Sequence, residues 1–166
     1  MSMTLTEKAL KIKLLLTDCD GVLTDAGVYY GENGEVLKKF NIRDGMGVER
    51  LRKLANVETG IITGELSPSV KKRAEKLNIT ELHLGIKDKP AVLRQILADR
   101  NLQADEIAYI GDDVNDVEIM QMVGLRACPA NAVRETKAVA DYICEAKGGE
   151  GCVREFAELI ITSKLS

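Results

Sequence analysis

Short apolar runs recur along this chain of 166 residues: IKLLLT (12–17), VETGIIT (57–63), ELHL (81–84), EIAYIG (106–111), LRACP (125–129) and DYIC (141–144). Segments of helical periodicity separate most of them. Met46, Val48, Leu51, Leu54 and Ala55 form one apolar stripe; Val92, Leu93, Ile96 and Leu97 form another behind Pro90, a residue suited to a first helical turn. Val114, Val117, Ile119, Met120 and Val123 form a third, which Gly124 stops. Such alternation predicts an α/β chain whose central parallel sheet is covered by helices on both faces. One segment breaks the pattern. GVYYGENGEVLKKF (27–40) reads as two short strands around a turn at Glu32-Asn33-Gly34, where Asn-Gly supplies the positive torsion of a tight hairpin. Following the first strand directly, it is an insertion that projects from that strand's C-terminal end. No repeat or linker divides the chain, so residues 1–166 are expected to form one domain, with the final TSKLS frayed.

In open parallel sheets, ligands bind beyond the C-terminal ends of the strands. Here the first strand runs into Asp18-Cys19-Asp20-Gly21, the second into Thr63-Gly64-Glu65, and the fourth into Gly111-Asp112-Asp113 with Asp116 close behind. Lys89 opens the helix after the third. Composition narrows the chemistry: with one His and no Trp, histidine metal sites and histidine-dependent triads lack material. Carboxylates, lysines and hydroxyls are left to do the work. An edge rich in carboxylates suits a hard divalent cation such as Mg2+, which takes oxygen ligands. With that ion in place, Asp18 is a candidate nucleophile on phosphorus, forming an aspartyl-phosphate. Asp20 is the candidate to protonate the leaving alkoxide and then to activate water. Thr63 and nearby backbone N–H groups, Gly64 among them, are candidates to hold phosphate oxygens, and Lys89 to balance the charge.

Plainer readings stand beside these. Asp18 and Asp20 alone would pass for strand-end solvation or a helix cap; their company in four distant segments favours chemistry. Asp25 suits a turn at the hairpin base, Thr63 taken alone is a structural threonine, and Lys89 taken alone is a surface lysine. Strand alternation turns Cys19 away from the two acids into the core, and nearby negative charge raises its pKa, so it reads as core filler. His83 reads as structural.

The same residues carry a resemblance. DCDGVLTD, TGE, the lysine of KDKPA and GDDVND resemble the four motifs of the haloacid dehalogenase phosphatases. DCDG with GDDVND is a specific pair, where DxD alone would be weak. The hairpin insertion, RDGMG and the tail GGEGCVREF are similar to the small, capless phosphatases of 2-keto-3-deoxy sugar acids, typified by the 3-deoxy-D-manno-octulosonate (KDO) 8-phosphate phosphatases. The resemblance spans nearly the whole chain. It implies a Rossmann-like haloacid dehalogenase fold without a cap domain. It implies that Asp18 is nucleophile and Mg2+ ligand, and that Asp20 is acid/base and ligates through its backbone carbonyl. Asp112 would complete the protein ligands, supported by Asp113 and Asp116, while Thr63 and Lys89 hold the phosphate. It implies a homotetramer with sites at subunit interfaces, where hairpin and neighbouring chain replace a cap and Arg154 in the tail (147–156) reaches substrate.

One departure bears on the substrate. KDO 8-phosphate phosphatases typically carry Arg after the motif-two glycine; this chain has Glu65, and the helix SPSVKKRAEKL places Lys76 further on. Glu there with RAEK resembles the branch acting on nine-carbon acids such as 2-keto-3-deoxynononate (KDN) 9-phosphate or N-acylneuraminate 9-phosphate. A carboxylate accepts hydrogen bonds from sugar hydroxyls, whereas Arg favours an anionic substituent. The two substrates stand level, and solvent-facing roles for Glu65 and Lys76 remain open. Arg43 either contacts substrate or pairs with Asp44.

A formal net charge of −3 gives no basic excess for nucleic acid. No stretch approaches the roughly 18 apolar residues of a membrane span, and MSMTLTEKALKIK lacks an apolar signal core. Four cysteines without a CxxC pair are expected to be reduced, which makes the cytoplasm the expected compartment. The expected function is a Mg2+-dependent phosphatase of a small sugar acid phosphate. A phosphate-responsive receiver domain also clusters acids on an α/β fold, but Asp20, two residues after the nucleophile, promotes turnover where a receiver holds its phosphoryl group. A non-catalytic oligomerisation module would not need every motif acid.

Overall fold

Leu14, Leu15 and Leu16 are fully buried because β1 (Leu14–Thr17) runs through the middle of the sheet. The computed structural model describes residues 3–166. The remaining strands of the sheet are β4 (Glu58–Ile62), β5 (Glu81–His83), β6 (Ile107–Ile110), β7 (Leu125–Cys128) and β8 (Tyr142–Ile143), and a separate pair is β2 (Tyr29–Gly31) with β3 (Gly34–Leu37). The six stand in the order β5-β4-β1-β6-β7-β8, all parallel. Leu14 lies opposite Glu58 on one side and Ile107 on the other. Alternation along β1 sends Leu15 to one face, with Val48, Leu51, Phe156 and Ile160, and Leu14 and Leu16 to the other, with Leu93, Ile96, Tyr109 and Met120.

The first face is covered by α1 (Leu5–Lys11), α2 (Ile42–Ala55), α3 (Pro68–Leu77) and α7 (Cys152–Leu165). The second is covered by α4 (Lys89–Arg100) and α5 (Val117–Gln121), and α6 (Arg134–Val139) lies beside β7. Gly47, in the RDGMG stretch, lets α2 and α7 touch, since a Cβ there would meet the Cα of Arg154 at 2.8 Å. The hairpin is as the sequence predicts: Gly31 pairs with Gly34 across the turn Glu32-Asn33, and Gly34 takes φ +102°. Lys39 closes its base on Asp25 at 2.6 Å. No second domain is inserted among the described residues.

Two expectations are corrected. The helix expected over 114–123 opens instead with a 3-10 turn, Val114–Asp116, because the Asp113 and Asp116 side chains cap each other's backbone. TSKLS does not fray: α7 runs to Leu165, and Lys164 donates to the carbonyl of Leu10 at 2.8 Å. Residues 147–151 form a glycine turn packed on this chain's own loop, with the Gly149 N–H on the carbonyl of Val22, and lead into α7, whose Val153, Phe156, Ala157, Ile160 and Ile161 are buried.

Candidate active site

From β1 the chain builds outward to β4 and β5, then crosses to β6 on β1's other side. That reversal opens a crevice between the ends of β1 and β6. Asp18 leaves β1 and Asp112 leaves β6 at this point, and a cleft of about 220 Å³ is lined by Asp18, Asp20, Thr63, Gly64, Glu65 and Asp112, together with Ala26, Asp113 and Asn115. Gly21, at φ +82°, lets the loop after β1 approach Asp112, whose carboxylate occupies the space of a Cβ.

Asp116 organises the floor. It is fully buried. Its Oδ1 accepts from Lys89 Nζ at 2.6 Å and Tyr109 OH at 2.7 Å, and its Oδ2 accepts from the backbone N–H of Asp112 at 3.0 Å and of Asp113 at 3.4 Å. Lys89 Nζ also lies 3.1 Å from Asp18 Oδ1, which takes the Cys19 N–H at 2.7 Å. Burial first, then the charge of Asp116, pushes the Asp18 carboxyl above its ordinary range, and Lys89 offsets this in part. Burial, followed by Asp116 and Asp113, pushes Asp112 up to about 7. Burial alone would depress Lys89, but Asp18 and Asp116 outweigh it and hold the ammonium above the usual lysine value.

These residues fit a hard divalent cation. Carboxylate oxygens of Asp18, Asp112 and Asp116 lie within 4.8 Å of one another. Three carboxylates against the one ammonium of Lys89 leave two negative charges uncompensated, and Asp112 Oδ1 is buried without a hydrogen-bond partner. Both oxygens of Asp116 being engaged, Asp18 and Asp112 are the side chains free to ligate, with Asp116 holding them in place. Asp20 stands outside this cluster; Lys38 holds its Oδ1 at 2.5 Å.

Other sequence candidates divide. Thr63 is buried at the end of β4, and its Oγ accepts the N–H of Glu65 at 3.3 Å, which leaves its hydroxyl hydrogen to donate. Asp113 lines the cleft, one oxygen capping Val114 at 2.6 Å. Lys76 lies in the last turn of α3, in a groove with Glu49, Arg52 and Lys53 at the far end from the strand termini that form the cleft. Arg43 is exposed and does not pair with Asp44, which turns inward to accept the N–H of Arg154 at 2.9 Å. Arg154 lies on α7 with its guanidinium on Glu158 at 2.8 Å, outside this chain's own cleft. Cys19 is core, as expected: burial, then Asp20 and Asp18, push its thiol far up. His83 meets Glu81 at 2.6 Å. Sequence reasoning missed Tyr109, hidden in an apolar strand though two residues before Gly111, and Lys38, whose partner is set by the hairpin's return. It also missed Asn115, inside a motif already singled out. A larger groove of about 420 Å³ lies between α1 and α7, but its Glu155 is spent on Tyr142 OH and two backbone N–H groups.

The comparisons with known proteins agree with this geometry. The family model for haloacid dehalogenase-like hydrolases matches residues 72–156. The KDO 8-phosphate phosphatase of Yersinia pestis is 39% identical over 158 residues, 95% of this chain and 84% of that protein. The crystal structure of KDO 8-phosphate phosphatase from Moraxella catarrhalis, in complex with magnesium ion, phosphate ion and KDO, superposes with a TM-score of 0.93 at 35% identity, covering 97% of this chain and 92% of that one. A cobalt-bound phosphatase of the same type from Haemophilus influenzae superposes with a TM-score of 0.91 at 32% identity, covering 95% and 91%.

Proposed function

The chain belongs to the haloacid dehalogenase-like hydrolases, and on that premise we propose that it is a Mg2+-dependent phosphatase that hydrolyses a 2-keto-3-deoxy sugar acid phosphate, KDO 8-phosphate in the first place, to the free acid and inorganic phosphate. The observation that carries the reading is Asp18 held by Lys89 at 3.1 Å beside the unpartnered oxygen of Asp112, with Asp20 lining the same cleft. Asp18 and Asp112 would hold the metal, which when bound offsets the negative charge of the cleft and of the phosphoryl group. The Asp18 carboxylate attacks phosphorus; the ester P–O bond breaks, and Asp20 gives its proton to the departing oxygen. The same Asp20 then takes a proton from the water that cleaves the aspartyl-phosphate. The Thr63 hydroxyl and the Gly64 N–H hold phosphate oxygens, and Lys89 favours the ionised form of Asp18 and aims it. The presence of Asp20 in the cleft favours turnover over a receiver that stores its phosphoryl group.

A cleft of about 220 Å³ takes the phosphoryl end but falls short of the roughly 300 Å³ at which pockets enclose a small ligand. The sugar needs a cover from elsewhere. Beside the cleft the hairpin exposes Tyr29, Tyr30, Val36 and Leu37, with Tyr30 74% exposed. These features support a homotetramer in which a neighbouring copy covers the site and contributes Arg154. Four free, buried cysteines fit a reducing compartment such as the cytoplasm.

One observation favours a nine-carbon substrate. Glu65 lines the cleft, and no ion pair engages it among the described residues; its carboxylate is suited to sugar hydroxyls. Phosphate release with Mg2+ from KDO 8-phosphate and KDN 9-phosphate, with kcat/KM compared, separates the two. Glu65→Arg is expected to shift the preference toward KDO 8-phosphate, and an unmoved ratio removes Glu65 from specificity. Asp18→Asn is expected to lower turnover on both by about 10⁴-fold or more; undiminished release would overturn the nucleophile and the mechanism with it.

A further inference from the structure

The acid/base carboxyl does not stand free in the cleft. Lys38, just beyond β3, folds back so that its Nζ lies 2.5 Å from Asp20 Oδ1, and its side chain is only 1% exposed although neighbouring hairpin residues face outward. The same ammonium lies 3.3 Å from Glu35 Oε2. Glu35 Oε1 in turn accepts from the hydroxyl of Ser67 at 2.5 Å, and Ser67 is the N-cap of α3, following the 63–65 turn. A continuous chain of contacts, Asp20–Lys38–Glu35–Ser67, therefore joins the acid/base, the hairpin and the end of the phosphate-binding turn. Lys38, Glu35 and Ser67 themselves stand back from the residues that line the cleft.

We propose that Lys38 is a positioning residue that fixes the Asp20 carboxyl for proton transfer to the leaving group, so that this step depends on the hairpin being seated. The inference rests on the phosphatase reading above. A lysine is buried only where its charge is paired, and here two carboxylates pair it from different elements. A carboxylic acid has one oxygen to accept and one to carry the proton. An ammonium N–H on Oδ1 assigns the proton to Oδ2 and holds the plane of the group. In the step, the P–O ester bond breaks with its electron pair on the departing oxygen, phosphorus bonds to Asp18, and the Oδ2 proton moves to that oxygen. Asp20 is left as a carboxylate bonded to Lys38. Released from Lys38, the side chain turns freely, and the loss falls on substrates whose leaving group needs a proton.

The experiment compares kcat/KM for two esters in the full-length, Mg2+-loaded protein. One is p-nitrophenyl phosphate, whose aryl oxide departs without a proton. The other is an alkyl ester, KDO 8-phosphate or KDN 9-phosphate, whichever the wild type turns over faster. Lys38→Met is expected to lower the alkyl ester about tenfold or more beyond its effect on the aryl ester, and Lys38→Arg, which still donates and carries charge, to recover most of that difference. Lys38→Gln carries the same comparison should Lys38→Met not fold. Equal losses on both esters, or no recovery in Lys38→Arg, would mean that Lys38 only holds the hairpin and overturn the proposal. Failure of the underlying reading looks different: the wild type then releases phosphate from neither ester.

Discussion

Asp116 takes four hydrogen bonds, from Lys89, Tyr109 and two backbone N–H groups, and keeps no oxygen for the cleft. Its effect is exerted through neighbours: it fixes the loop that carries Asp112 and the lysine that faces Asp18. Partners of this outer kind change metal affinity by about 10- to 100-fold when removed. Asp116→Asn would set an amide N–H against donors that now meet an oxygen. Mg2+ affinity measured by titration calorimetry is expected to fall at least about tenfold; an unchanged affinity would return Asp116 to a packing role. The acidic character of Asp116 is plain in GDDVND. That it serves as an acceptor for Tyr109 is not, because Tyr109 sits in an apolar run where alternation alone reads it as core.

The N-terminus of α7 depends on another helix. Its N-cap, Gly151, takes φ +109° and has no side chain to accept from the first turn. Asp44, on α2, supplies the missing acceptor, taking the Arg154 N–H at 2.9 Å. A carboxylate at this end also meets the favourable end of the helix dipole. Asp44→Ala is expected to destabilise the protein by about 1–2 kcal/mol, the worth of an N-cap, and Asp44→Asn, which keeps an acceptor oxygen, by less. Urea unfolding measures both, and an Asp44→Ala protein as stable as wild type would show that α7 needs no cap. This arrangement explains why RDGMG and GGEGCVREF occur in one chain: Asp44 caps the helix that Gly47 allows to approach.

At the scale of the molecule, one ion pair pins the sheet edge. Burial alone would raise Asp141, but bidentate bonds from Arg126 at 2.7 and 2.9 Å and a bond from Lys8 at 2.6 Å outweigh it and hold the carboxyl down to about 2. A carboxyl depressed in the folded state stabilises above its unfolded pKa near 3.8, and that contribution disappears as pH falls through about 2. The shift corresponds to about 2 kcal/mol. Asp141→Asn is expected to be less stable than wild type at pH 7 by up to this amount, with the gap closing between about pH 4 and 2; denaturant curves across that range with a constant gap would contradict it. Assembly has its own test. If Arg154 serves a neighbouring copy, mixing inactive Asp18→Asn with Arg154→Ala chains through dissociation and reassembly is expected to restore about a quarter of wild-type sites by random pairing, by analogy with sites shared across symmetric oligomers. No recovery above the Arg154→Ala chains alone would confine each site to one protomer.

Strand and helix periods in the sequence were enough to locate the sheet-forming runs, and the positions just after them single out Asp18, Asp20, Thr63 and Asp112, which line one cleft, and Lys89, which faces Asp18, because a parallel sheet sends all its strand ends to one edge. The Glu32-Asn33-Gly34 turn was legible for the same kind of local reason. What the sequence left open were choices between equivalent neighbours. Lys38 and Lys39 are adjacent, yet one enters the site to meet Asp20 and the other closes the hairpin base on Asp25. Asp113 and Asp116 share a motif, yet one faces the cleft and the other is buried beneath it. Lys76 and Arg43 are sequence candidates that do not line this chain's own cleft. Local pattern fixes which face of an element a residue occupies; the partner that face meets is set by contacts between segments distant along the chain, and only the folded chain supplies those.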